Sequence, residues 1–160
     1  MKSRIRVLLV DDNDDYLQGL STWLTEDAKL DIVGRAGTGE DALLQVETLS
    51  PDLVLTDLSM PGMNGFEVAR QIKMRPDAPN VILVTFHDSE TLRLEAFAAG
   101  ADGLVDKAKV TERLIPVIRS LFPDDAQIFP ERAVAGTGRE ETIKQRRLSR
   151  KPGSPQDLEG

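Results

Sequence analysis

The sequence predicts an α/β fold in which five βα units feed one parallel sheet. Two observations carry this. Short apolar runs alternate along the chain with longer segments of helical period, the pattern of successive βα units. The first of these runs is also nearly unbroken instead of alternating with polar residues, as a strand buried on both faces requires.

Ile5 to Val10 (IRVLLV) is the first strand and, being the most continuously apolar, the central one. Leu17, Leu20, Trp23 and Leu24 recur at helical spacing and predict a helix from about Asp14 to Asp27, with Trp23 in the core or at its margin. Leu30 to Ala36 is strand two. Thr38-Gly39-Glu40 opens a second helix carrying Ala42, Leu43, Val46 and Leu49, which Ser50-Pro51 stops. Asp52 to Asp57 is strand three, and the turn from Met60 to Gly65 places Pro61 before Gly62, a pairing that suits a tight turn. The third helix follows. Asn80 to Thr85 is strand four, Ser89 caps a fourth helix whose apolar surface comes from Leu92, Leu94, Ala96, Phe97 and Ala98, and Leu104-Val105 is a short fifth strand. Val110 to Phe122 closes the series, with a bend or a later start expected because of Pro116.

Composition narrows the chemistry. The 160 residues contain no cysteine and one histidine, His87, which excludes disulfides, thiol catalysis and multi-histidine metal sites. No apolar run approaches the roughly 20 residues needed to span a bilayer, so no membrane association and a cytoplasmic location are expected. Residues 1–122 carry 13 basic and 20 acidic side chains, which disfavours direct nucleic-acid binding. From Pro123 the sequence is polar and punctuated by proline and glycine. It reads as two regions, a folded domain over 1–122 and a mostly disordered tail over 123–160 that includes the basic stretch Lys144 to Lys151.

Ligands of a parallel α/β sheet gather beyond the carboxyl ends of its strands. Strand one ends at Asp11-Asp12, strand three at Asp57, strand four at Thr85 and strand five near Lys107, so three carboxylates, a hydroxyl and an ammonium reach one edge. Taken singly, each can be purely structural: Asp11 and Asp12 could cap the first helix, Asp57 could support its turn, Thr85 could simply end its strand, and Lys107 could be a surface lysine. Together they demand more. Carboxylates about 4 Å apart repel by about 4 kcal/mol per pair at an effective dielectric of 20, and need a cation, a lysine or a raised pKa. A hard divalent ion such as magnesium answers this and leaves positions for phosphate oxygens.

The segments VLLVDDND, LTDLSMPGMNGFEV, VILVTFHD and GADGLVDK resemble the receiver domain of two-component response regulators, in order and over about Ile5 to Phe122. The resemblance implies a flavodoxin-like, doubly wound five-stranded sheet in the order 2-1-3-4-5, with helices on both faces. It implies Asp57 as phosphoacceptor, Asp12 and Asp57 as direct Mg2+ ligands, Asp11 acting through water and Ser59 through its backbone carbonyl. Thr85 and Lys107 would bind phosphoryl oxygens. A sensor histidine kinase or phosphotransfer protein would be the donor, and a downstream protein would dock on the surface Ser89–Phe122; a second copy of the chain, as a homodimer, is a further candidate partner. The domain would assist its own phosphorylation and dephosphorylation without being a turnover enzyme.

Three positions depart from the family pattern. Leu104 stands where an aromatic residue is frequent, Ala108 where proline after a cis bond is frequent, and Phe86 where a small side chain is usual. Phe86 would restrict access to Asp57, while His87 reads as a surface loop residue. The 38 residues after Phe122 offer no helix-turn-helix pattern, so no direct DNA binding is expected. Two other functions compete. One is a phosphorylation-independent interaction module, which the three departures suggest. The other is a haloacid-dehalogenase-type phosphohydrolase, whose Asp-x-Asp motif is matched only out of register by Asp12-Asn13-Asp14.

Overall fold

The computed structural model describes residues 4–123. The expectation of a disordered tail falls, apart from Pro123, outside the described residues. The chain divides into two units, Met1–Arg113 and Leu114–Gly160. In the first unit, strands β1 (Ile5–Val10), β2 (Leu30–Ala36), β3 (Leu53–Asp57), β4 (Asn80–Thr85) and β5 (Gly103–Asp106) form one parallel sheet. Its order is β2-β1-β3-β4-β5, so β1 is interior, flanked by β2 and β3, but the central place expected for it belongs to β3, a shorter strand buried at every residue.

Alternate residues of a strand point to opposite faces. Leu8, Val10, Val54, Val81 and Leu83 are buried among Ala42 and Val46 of α2 (Gly39–Leu49) and Val68, Ala69 and Ile72 of α3 (Gly65–Lys73). The intervening Val7, Leu9, Leu53, Leu55, Ile82 and Val84 are buried as well, so neither set is left to solvent. Helix α1 (Asp14–Thr25) buries Leu17, Leu20 and Leu24, while Trp23 is half-buried at the margin.

Each early helix starts on a side-chain cap. The side-chain oxygens of Asn13, Thr38, Asn64 and Ser89 accept the backbone N–H groups of Tyr16, Asp41, Glu67 and Leu92. Asp14 and Asp15 add negative charge to the first turn of α1, the favourable sign for a helix amino terminus. Helix α2 ends at Ser50 in the left-handed region (φ 50°), and the Arg6 guanidinium donates to the carbonyls of Leu49 (2.6 Å) and Ser50 (2.8 Å), satisfying groups the helix leaves open. Gly62 supplies the positive φ (76°) that the turn after Pro61 needs.

Helix α4 (Glu90–Ala98) differs from expectation. Leu92, Ala96 and Ala99 form its inward stripe at i, i+4, i+7, whereas Leu94 (64% exposed) and Phe97 (76% exposed) lie on another face. Helix α1 ends two residues earlier than predicted, where the Glu26 and Asp27 N–H groups turn back onto the carbonyls of Trp23 and Leu24. Strand β5 is longer than predicted by Gly103 and Asp106, because pairing with Ile82 through Thr85 extends past the two apolar residues. The Lys107–Ala108 bond is trans, and Lys107–Lys109 form a short 3-10 turn into α5 (Val110–Leu121). Pro116 does not delay the start of that helix, which begins at Val110. Among the described residues, no helix is long and apolar enough to cross a membrane.

Candidate functional site

Strand register builds the site. Val10 pairs with Thr56, Asp57 with Val84, and Thr85 with Asp106, so the carboxyl ends of β1, β3, β4 and β5 finish side by side. Asp11 therefore leaves β1, Asp57 ends β3, Thr85 ends β4 and Lys107 follows β5, all at the sheet edge expected from the alternating pattern. One oxygen each from Asp11, Asp12 and Asp57 lie within 4.8 Å of one another.

The Lys107 ammonium reaches across this cluster, donating to Asp11 Oδ2 at 2.7 Å and approaching Asp57 Oδ1 at 3.1 Å. Its side chain is only 8% exposed. Asp11 is further held by the Asn13 N–H on its other oxygen (2.9 Å). Asp11, Asp57 and Thr85 are buried, while Asp12 and Ser59 are exposed. The structure thus clusters Asp11, Asp12 and Asp57 and ties Lys107 to Asp11 and Asp57, while Thr85 ends the adjacent strand β4 and Ser59 lies two residues beyond Asp57. The Thr85 hydroxyl accepts the His87 N–H at 3.1 Å. His87 itself is exposed.

Backbone packing holds Asp57 in place. The Leu58 N–H donates to Val84 and the Gly65 N–H to Leu58. A Cβ on Gly65 would lie 2.6 Å from the Asp57 carbonyl oxygen and 2.8 Å from Leu58 Cα, so only glycine lets α3 begin this close.

Electrostatics oppose one another here. Burial pushes the Asp57 carboxyl up, the Asp11 charge adds to this, Lys107 pulls it back through its hydrogen bond and charge, Asp12 raises it slightly, and the outcome is a raised pKa. Burial disfavours the Lys107 ammonium, but the bonds and charges of Asp11 and Asp57 outweigh it and leave its pKa raised. The site is a balance of buried charge.

Two aromatic contacts complete it. The Lys107 Nζ lies 4.2 Å from the centroid of the Tyr16 ring and 5.3 Å from that of Phe86. The role of Tyr16 is not evident from the residue pattern; the available signal is its place one helical turn beyond the Asp11-Asp12 pair. Burial raises the Tyr16 phenol, against the lowering influence of Lys107, and its hydroxyl is buried without a hydrogen-bond partner.

The profile described as the response regulator receiver domain matches residues 7–119. The response regulator GacA of Pseudomonas aeruginosa is 35% identical over 128 residues, covering 79% of this chain and 59% of GacA. UvrY of Escherichia coli is 35% identical over 118 residues, 74% of this chain and 54% of UvrY. The chain thus spans little more than half the length of these relatives. Among solved structures, the receiver domain of NarL from Mycobacterium tuberculosis superposes with a TM-score of 0.63 at 30% identity, covering 66% of this chain and 85% of that one. A LuxR-family regulator from Aurantimonas gives 0.71 at 29%, covering 82% and 99%. A further similar structure, from Staphylococcus aureus, is described as a DNA-binding LuxR-family regulator (TM-score 0.67, 25% identity, 72% and 97% covered), so the expectation of no DNA binding draws no support from the comparisons. Neither the phosphohydrolase nor the interaction-module alternative is favoured by these matches. The chain belongs to the response regulator receiver family of two-component signal transduction, whose members are signalling domains and not turnover enzymes in the usual sense.

Proposed function

We propose that this receiver accepts a phosphoryl group on Asp57 from a phosphohistidine of a sensor kinase or phosphotransfer protein and thereby switches its affinity for a downstream protein. The observation that carries the reading is Lys107 bridging Asp11 and Asp57 beside three clustered carboxylates. Oxygen-only donors within 4.8 Å of each other suit a hard divalent ion such as Mg2+. Asp12 and Asp57 would hold it directly, Asp11 through water, and Ser59 through its backbone carbonyl. When bound, it supplies positive charge to the phosphoryl oxygens.

The remaining chemistry belongs to the chain. Asp57 is the nucleophile, and its ionised form is needed; burial and Asp11 disfavour that form while Lys107 favours it. Lys107 pairs with one phosphoryl oxygen and the Thr85 hydroxyl donates to another, an arrangement that mostly positions and neutralises the transferring group. Hydrolysis of the acyl phosphate resets the switch. The added charge of about −1.5 to −2 must then bias a surface that has two arrangements. Within the first unit, that surface is the α4 and β5 portion, where the exposed Leu94 and Phe97 are available to a partner. A cytoplasmic location follows from the same reading, because donor and output proteins must both be reached.

Intact-mass measurement with acetyl phosphate tests this directly. A Mg2+-dependent phosphoryl adduct that is absent in Asp57→Asn supports the proposal. An unmodified parent protein with every phosphodonor, in the presence of Mg2+, sinks it.

A further inference from the structure

Phe86 is a large apolar side chain left 67% exposed at the mouth of a polar site. Leu83 and Val84 just before it are fully or almost fully enclosed, so the chain leaves the core at this residue. Its position is nevertheless constrained. It lies between Thr85, which ends β4, and His87, whose N–H is bonded back to the Thr85 hydroxyl, and its ring stands 5.3 Å from the ammonium that touches Asp57. A flat apolar face is thus held next to the place where a phosphoryl donor must enter.

We infer that Phe86 is a specificity-determining residue that stacks on the leaving imidazole of a phosphohistidine, so that the site favours aromatic over non-aromatic phosphodonors. The inference rests on the phosphoacceptor reading of Asp57. In the transfer, the Asp57 carboxylate oxygen forms a bond to phosphorus as the P–N bond breaks. The electron pair of that bond stays on the imidazole nitrogen, and the proton already on the other ring nitrogen lets the imidazole depart neutral. No further oxidant, reductant or proton donor is required. A departing imidazole is planar and π-rich, and offset or edge-to-face contact with a phenyl ring is its favourable packing. Acetate, the leaving group of acetyl phosphate, has no ring to offer. The nearby Lys107 strengthens the arrangement, because it draws the ring towards the phosphoryl position through its own contact with the π face.

The test compares rates of phosphorylation by phosphoimidazole and by acetyl phosphate, with Mg2+, for the parent, Phe86→Ala, Phe86→Leu and Phe86→Tyr. The ratio of the two rates is expected to fall about two- to tenfold in both the alanine and leucine variants and to be kept by tyrosine. A second readout needs no turnover: in the Asp57→Asn protein, phosphoimidazole should shift the Phe86 ring proton resonances, and acetyl phosphate should not. A leucine variant with the parental ratio shows that bulk alone acts and overturns the inference, as does an unchanged ratio in alanine. Absence of an adduct with either donor in the parent protein overturns the phosphoacceptor reading itself.

Discussion

Replacing Lys107 by methionine keeps an unbranched apolar stem and deletes the charge, leaving Asp11 and Asp57 facing each other. Oxygens of the two lie within 4.8 Å, where unit charges repel by about 3.5 kcal/mol at an effective dielectric of about 20. Loss of the ammonium from the Tyr16 ring adds about 0.5 to 1 kcal/mol. The stem of methionine recovers part of the packing. The net expectation without divalent metal at about pH 8 is a loss of about 3 to 4 kcal/mol, within the usual range for removing one partner of a buried ion pair. For roughly 120 ordered residues at about 2.1 cal/mol/K each, that is a fall in Tm of about 12 to 16 °C. Asp57 makes the loss depend on pH. Its carboxyl is raised already, by burial first and Asp11 second, and rises further once Lys107 is gone. A carboxyl raised above its unfolded value contributes stability that is fully present below the unfolded value, and this is lost as pH rises through the folded value. The deficit of the variant should therefore be small near pH 4, and grow towards neutrality. Urea unfolding in EDTA at the two pH values measures it, and millimolar Mg2+ at pH 8 should narrow the gap. A variant as stable as the parent at pH 8 in EDTA would refute the charge argument.

Four other outcomes are expected. Asp57→Asn removes a carboxylate whose ionised form the fold disfavours, so without divalent metal the variant should be more stable than the parent at pH 8 and should no longer be stabilised by added Mg2+; urea titrations with and without the ion decide, and a less stable variant counts against the raised pKa. Gly65→Ala should lose about 1 to 3 kcal/mol, because its new methyl meets backbone atoms of Asp57 and Leu58 that cannot step aside. Gly19→Ala, on α1 with open space around it, should instead gain about 0.5 to 1 kcal/mol, and equal effects of the two in thermal melts would show that helix propensity alone matters. Asp102→Ala deletes the acceptor of both the Lys73 ammonium (2.8 Å) and the Val81 N–H (2.9 Å), and should cost about 2 to 3 kcal/mol in denaturant unfolding, with a loss below about 0.5 kcal/mol speaking against a shared anchor.

The strands were legible because their burial is double. Ile5 to Val10 and Asn80 to Thr85 carry apolar residues on both faces, which a half-exposed strand or an amphipathic helix would not, and their observed limits match the apolar runs. Helix starts were legible where a capping side chain announces them, as at Ser89 and Thr38. Helix α4 was less so. Its apolar residues Leu92, Leu94, Ala96, Phe97 and Ala98 crowd a short segment, so counting them cannot say which stripe faces inward; the neighbouring helix α3 and strands decide that, and they select Leu92, Ala96 and Ala99. Strand order is non-local in the same way, and came from the family resemblance instead of from the apolar pattern.

At the site, the sequence pattern located every acidic and basic group because each one ends or follows a strand, and the register of the parallel strands brings their carboxyl ends level although their starts are offset. What it could not supply was which of those groups pair with one another. The family resemblance gives Lys107 a phosphoryl oxygen; the structure also sets its ammonium between Asp11 and Asp57, as a buried ammonium requires counter-charge beside it. The charge that the proposed mechanism sets against phosphate is the one that ties Asp11 to Asp57. Tyr16 is hard to find for a related reason: an aromatic residue on the first turn of a helix reads as core, and only the arrival of Lys107 from β5, far along the chain, turns its ring into a contact for the ammonium. Phe86 shows the opposite case, where local sequence was enough. The side chain after Thr85 follows the last residue of β4, past the enclosed Leu83 and Val84, and its ring is exposed beside the Lys107 ammonium.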